Sequence, residues 1–135
     1  MMSTTLYLAA RYSRHEELCR YRDQVRALGY QVTSRWLNGM HQVSDKDLTD
    51  EYGSQGFTTP ERSRFALDDL EDLTHADTII AFTEAPRSNS SRGGRHVELG
   101  IAIGQGKRVI VVGHRENVFC CLLTVEFHES WTSAF

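Results

Sequence analysis

Cysteine, proline and basic charge are all scarce in this chain, and long apolar runs are missing. Its three cysteines, Cys19, Cys120 and Cys121, are odd in number and two are adjacent. That pattern gives neither a disulfide framework nor zinc-ligand spacing. The formal net charge of −3 lacks the clear basic excess of a nucleic-acid binder. No apolar stretch approaches the ~18–20 residues needed to span a bilayer. Residues 1–13 carry neither a charged leader nor an apolar segment long enough for a secretory signal. The histidines at 15, 41, 75, 96, 114 and 128 show no ligand spacing, so no metal or other cofactor is expected. These exclusions predict a globular cytoplasmic protein with no nucleic-acid or membrane partner.

Apolar residues make up 40% and charged residues 24% of 135 positions. A chain of that size reads as one domain, 1–135, burying roughly two-thirds of its unfolded surface. Residues 4–9 are β-prone and stop at the polar turn Arg11-Tyr12-Ser13. Leu18, Tyr21, Val25 and Leu28 recur at helical steps, predicting an amphipathic helix over 14–28 that Gly29 ends. Residues 30–36 read as a second strand. Between 37 and 59 the chain is mostly polar, with glycines at 39, 53 and 56 and a short helix expected around 44–51. A segment of that length is usually a lid or binding loop. Thr59 and Pro60 form an N-cap and N1 pair opening a helix to about residue 75. A buried strand is expected at 77–83, a Ser/Gly/Arg-rich loop at 84–94, a helix at 95–105 stopped by Gly106, and another buried strand at 107–113. The remainder reads as a weak helix at 116–122, a short strand at 124–128 and a last helical turn. Strands alternating with helices predict an α/β fold, a doubly wound Rossmann-like sheet of about five parallel strands. Its ligand belongs outside the carboxyl ends of the strands, at residues 9–13, 36 onward, 83–94 and 113 onward.

Three features there could carry chemistry. Ser88-Asn89-Ser90-Ser91-Arg92-Gly93-Gly94-Arg95 follows a buried strand and opens a helix. Its backbone N–H groups, arginines and helix dipole would favour an anion, although the same composition fits a flexible surface loop. It matches neither the Walker pattern nor G-x-G-x-x-G. Glu98 is expected in the first turn of that helix, next to an apolar sheet, where an anion can act as nucleophile or base; it equally suits the dipole alone. Leu67-Asp68-Asp69-Leu70-Glu71-Asp72-Leu73 carries four acidic residues, normally a solvated face. Asp68 and Asp72 share one edge, and Asp69 lies about 100° round from Asp68. A carboxylate from this helix paired with Glu98 would suit glycosidic-bond chemistry, which spacing alone does not establish. Tyr7, in the first strand, reads as a packing residue with its hydroxyl at the rim. Cys120 and Cys121 read as buried small hydrophobes.

Taken together, these motifs resemble the nucleoside 2-deoxyribosyltransferase superfamily, which includes deoxynucleoside-monophosphate N-glycosidases. The matching residues are Leu6-Tyr7-Leu8-Ala9-Ala10, then Asp69 eight positions before Asp77-Thr78-Ile79-Ile80-Ala81-Phe82, then Val97-Glu98-Leu99-Gly100. Ala102, Gly106-Lys107 and Val109-Ile110-Val111-Val112 follow the pattern. The likeness covers 4–13 and 66–113. It implies a flavodoxin-like sheet, and an N-glycosidase or transferase in which Glu98 attacks the anomeric carbon of a (2′-deoxy)nucleoside or its 5′-monophosphate. Tyr7 would hold that carboxylate, and Asp69 would help protonate the leaving base. Ala9 and Arg11 would line the substrate. The resemblance also implies a homodimer or larger homo-oligomer, with the tail from Asn117 reaching a neighbour's site. Six residues before the glutamate, transferases carry an acid for the free 5′-hydroxyl and the hydrolases a serine for the phosphate. Arg92 stands there, preceded by Ser90 and Ser91. With Ser88, Gly93 and Gly94, this departure favours a phosphate over a neutral hydroxyl. The competing readings are a non-catalytic nucleotide-binding module on the same fold and a structural interaction domain.

Overall fold

Three short strands carry more than half of the buried apolar side chains. The computed structural model describes residues 4–38, 59–85 and 93–134. The expected helix at 44–51 and most of the 37–59 segment lie outside the described residues, as do Ser88, Ser90, Ser91 and Arg92. Strands β1 (Thr5–Ala9), β2 (Gln31–Val32), β3 (Thr78–Phe82), β4 (Arg108–Val112) and β5 (Val125–His128) form one parallel sheet in the order β2-β1-β3-β4-β5. The helices are α1 (His15–Ala27), α2 (Thr59–His75), α3 (Gly94–Gly104) and a short α4 (Trp131–Ala134). The chain moves one way from β1 to β2 and the other way from β3 onward. The crevice of such a sheet therefore opens between the carboxyl ends of β1 and β3.

The near-continuous apolar strands follow from burial on both faces. All of β3 is buried, as are Leu6–Ala9 of β1 and Val109–Val112 of β4. Side chains alternate between faces, so Tyr7 and Ala9 share one face with their register partners Ile79 and Ala81. Phe82 points to the opposite face. There it stacks on Tyr21 of α1, which stacks on Trp131 of α4, with ring centroids 5.5 and 4.5 Å apart. On the Tyr7 face α2 lies beside α3 against β1. Among the described residues no helix is long and apolar enough to cross a membrane.

Four expectations need correction. The second strand is two residues long, not seven, because side chains finish the edge of β1. The Leu8 N–H donates to Ser34 Oγ at 2.8 Å, and the Trp36 indole donates to the Leu8 carbonyl at 2.8 Å. The backbone from Arg35 to Asn38 is thereby free to turn as a 3-10 helix. The apolar stripe of α1 stops early: Leu18 and Val25 are buried but Leu28 is 66% exposed, at the C-cap before Gly29. The weak helix at 116–122 is a 3-10 turn, Val118–Cys121, whose first N–H groups Asn117 caps by accepting from Phe119 N at 3.0 Å. In that tight turn Cys120 is buried and Cys121 is exposed, so only one of the two is a core residue.

The carboxyl ends of β3 and β4 are locked together. Thr83 Oγ1 accepts from His114 N and donates to its carbonyl, both at 2.6 Å. Gly113 has φ +125°, and a Cβ there would lie 2.9 Å from both the carbonyl and hydroxyl oxygens of Thr83. Gly113→Ala is therefore expected to lose at least about 1–3 kcal/mol from backbone strain alone. A urea midpoint matching wild type would show that this edge yields without strain.

Candidate active site

Tyr7 sits in the middle of β1 with no exposed surface. A buried phenol requires a hydrogen-bond partner. The Tyr7 hydroxyl donates to Glu98 Oε2 on α3, fastening that helix across the sheet face. Glu98 itself is half-buried. It is not in the first turn as expected: α3 begins at Gly94 with left-handed Gly93 (φ +86°) as its N-cap, and its first turn contains no acidic residue. The strand's tyrosine, more than the helix dipole, fixes this carboxyl.

The acidic run of α2 divides between two partners. Arg35 takes one edge: its Nε donates to Asp72 Oδ1 at 2.8 Å, and its terminal nitrogens lie 3.7 Å from Asp68 and 3.4 Å from Glu71. The Arg35 backbone N–H adds a bond to Asp72 Oδ2 at 2.9 Å. Asp72 is only 5% exposed, which corrects the solvated-face reading at that position. Asp69 is half-buried on the same helix, and its negative charge acts on both Tyr7 and Glu98. The structure thus brings Tyr7, Asp69 and Glu98 together from β1, α2 and α3.

Burial dominates the electrostatics here. It pushes the Glu98 carboxyl up to about 8; the Tyr7 hydroxyl opposes that shift and the Asp69 charge reinforces it. Tyr7 is raised well above the ordinary tyrosine value, first by burial and then by the Glu98 and Asp69 charges. At neutral pH Glu98 is therefore mainly protonated. Carboxyls displaced in this way concentrate at functional sites.

The remaining candidates spread around this centre. Ala9 is fully buried and pairs in register with Ala81, keeping bulk off the carboxyl edge beside Tyr7. Arg11 follows that edge half-buried, and its Nε is buried without a hydrogen-bond acceptor among the described residues. Gly93 and Gly94 open α3. Asn117 caps the turn after it and lies 3.5 Å from His96 Nδ1. Arg95, counted by the sequence among the arginines favouring an anion, is committed elsewhere. Its two terminal nitrogens bind Glu116 Oε1 and Oε2 at 2.6 and 2.8 Å. No short-range spacing signals a pair separated by this much chain. Among the described residues, no group of three His, Cys, Asp or Glu could hold a metal ion.

Neither a family model nor a curated protein matches the chain. Solved structures do. A 2-deoxyribosyltransferase from Bacillus psychrosaccharolyticus aligns at TM-score 0.71 and 20% identity, over 97% of this chain and 90% of that one. A conserved protein from Enterococcus faecalis V583 aligns at 0.57 and 17%, over 94% and 80%. A CMP N-glycosidase from Clostridium botulinum aligns at 0.53 and 20%, over 92% and 87%. The likeness establishes a shared flavodoxin-like fold.

The raised Glu98 has a consequence for stability. Its pKa rises from the ordinary 4.5 to about 8 on folding, so folding favours the protonated form. That contribution is complete below pH 4.5 and is lost as pH rises through 8. Glu98→Gln, which mimics the neutral acid, should leave Tm unchanged at pH 4 and raise it at pH 9. Equal Tm differences at both values would place the Glu98 titration elsewhere.

Proposed function

We propose that this protein is an enzyme of nucleotide metabolism that cleaves the N-glycosidic bond of a (2′-deoxy)nucleoside or its 5′-monophosphate. The observation that carries this reading is the buried Tyr7–Glu98 contact with the Asp69 charge beside it, at the switch point of the sheet. The neighbouring folds, a 2-deoxyribosyltransferase and a CMP N-glycosidase, support it.

With Glu98 Oε2 engaged by Tyr7, the other oxygen is available to the sugar. In this mechanism the Glu98 proton passes to Asp69, and the Glu98 carboxylate attacks C1′ while the C1′–N bond breaks. Asp69 hands that same proton to the departing base nitrogen and returns to its carboxylate form. Positive charge developing on the sugar is stabilised by the Glu98 carboxylate, and a sugar ester on Glu98 results. Water then cleaves the ester and restores the Glu98 proton, or a second base takes the sugar instead.

A non-catalytic nucleotide-binding module is the alternative, and it gives no reason to bury an acid against a tyrosine. Chromatography of deoxynucleosides and their 5′-monophosphates after incubation separates the two. Release of free base by wild type, with a loss of ~10²-fold or more in Glu98→Gln, is the expected result. Tight binding with no released base would establish the module.

The substrate's 5′ end is assigned from sequence to Ser88, Ser90, Ser91, Arg92, Gly93 and Gly94, as a dianion site. The 5′-monophosphate should therefore be preferred, with Arg92→Ala lowering its kcat/KM about 10–100-fold. A better rate with the free nucleoside, unaffected by Arg92→Ala, would remove the phosphate site.

A homo-oligomer is part of the same reading. Val118, Phe119, Leu122 and Leu123 lie exposed just after Asn117, and a second copy would cover them and bring this tail to its neighbour's site. Light scattering should give at least a dimer; a fully active monomer would exclude a shared site.

A further inference from the structure

The helix carrying Glu98 enters without a local cap. Gly93 stands at its N-cap and no side chain there bonds the first turn. A buried ion pair ties its first turn to the rest of the fold. The Arg95 side chain is only 3% exposed and forks onto the Glu116 carboxylate at 2.6 and 2.8 Å. Glu116 Oε1 also accepts the Glu84 backbone N–H at 3.1 Å. A single carboxylate thus joins the chain just after β3, the first turn of α3 and the loop after β4. That loop is already tied to β3 through Thr83, His114 and Gly113. Glu98 follows Arg95 by three residues, so the two lie on neighbouring turns of one helix side.

Stability alone does not call for such a pair. Removing two charges from water is expensive, and apolar residues of similar size often serve equally well. A second arginine–glutamate fork with the same bond lengths, Arg108 Nε and Nη2 on Glu126 at 2.6 and 2.8 Å, sits at the amino end of β4 and is exposed. The buried fork is found instead beside the reacting carboxyl, at the carboxyl end of the sheet. Glu116 titrates below the ordinary glutamate value: burial opposes ionisation, but Arg95 and the Glu84 N–H outweigh it. The pair is therefore ionised at neutral pH. His96, with Nε2 3.7 Å from Glu116 Oε2, is the other titratable group beside it.

We propose that Arg95 and Glu116 are positioning residues: their ion pair fixes the first turn of α3 to the ends of β3 and β4, and so places the Glu98 carboxyl against Tyr7. This rests on Glu98 being the reacting group. Neither partner touches the reacting atoms in this scheme.

The test replaces both charges at once, Arg95→Met with Glu116→Leu, which leaves the net charge unchanged. Arg108→Met with Glu126→Leu is the control for losing a matching fork far from the site. Base release is followed as kcat and KM separately, and the Glu98 carboxyl is titrated by carbon NMR in glutamate-labelled protein. The Arg95/Glu116 double variant should fold, lose ~10–10²-fold in kcat with KM little changed, and shift the Glu98 midpoint from about 8 toward 4.5. The control should change neither. Wild-type kcat together with a wild-type Glu98 midpoint in the folded double variant would overturn the proposal. Should the double variant not fold, Arg95→Lys, which keeps the charge and loses the fork, is read by the same two signals. If wild type releases no base at all, the enzymatic reading fails, while the Glu98 midpoints still decide the clamp.

Discussion

One hydrogen bond, from the buried hydroxyl of Tyr7 to Glu98, depends on most of the architecture around it. The tyrosine needs the middle of a strand covered on both faces, which only a sheet with helices on both sides supplies. The glutamate needs a helix packed across that strand, which requires β3 and α3 to follow β1 in space. The order β2-β1-β3-β4-β5 delivers both, and it puts the contact beside the place where the winding reverses. Asp69 adds its charge from α2, the helix that Arg35 ties down through Asp68 and Asp72.

The same burial that anchors Glu98 changes its chemistry. Away from water a carboxyl retains its proton to about pH 8, and a nearby aspartate charge strengthens that tendency. At neutral pH one side chain thus holds a proton and, once that is released, presents a carboxylate. N-glycosidic cleavage calls for both, since the sugar needs a carboxylate and the departing base needs a proton. A binding module would gain nothing from burying an acid at a cost in stability that grows as pH rises from 4.5 through 8.

Much of the fold was legible because it rests on local pattern. The apolar runs of β1, β3 and β4 and the stripe Leu18, Tyr21, Val25 each stand out within a few residues. Tyr7, Asp69 and Glu98 stand out through their motifs, and one hydrogen bond joins the first to the last. What sequence could not show depends on partners far along the chain. Residues 30–36 have strand composition, yet Ser34 and Trp36 spend their side chains on Leu8 and end β2 after Val32. Glu98 looked like a first-turn residue until Gly93 and Gly94 moved the helix start. Arg95 looked like an anion ligand because its own partner, Glu116, lies beyond a helix and a strand.

The central claim is that the sugar passes through an ester on Glu98, which requires two displacements at C1′ and so retention of configuration. The most direct measurement lets methanol compete with water during turnover and assigns the anomeric configuration of the methyl glycoside by NMR. The account predicts a methyl glycoside with the anomeric configuration of the starting nucleoside or nucleotide, formed by wild type and lost in Glu98→Gln. An inverted product, from one direct displacement by solvent, would contradict it.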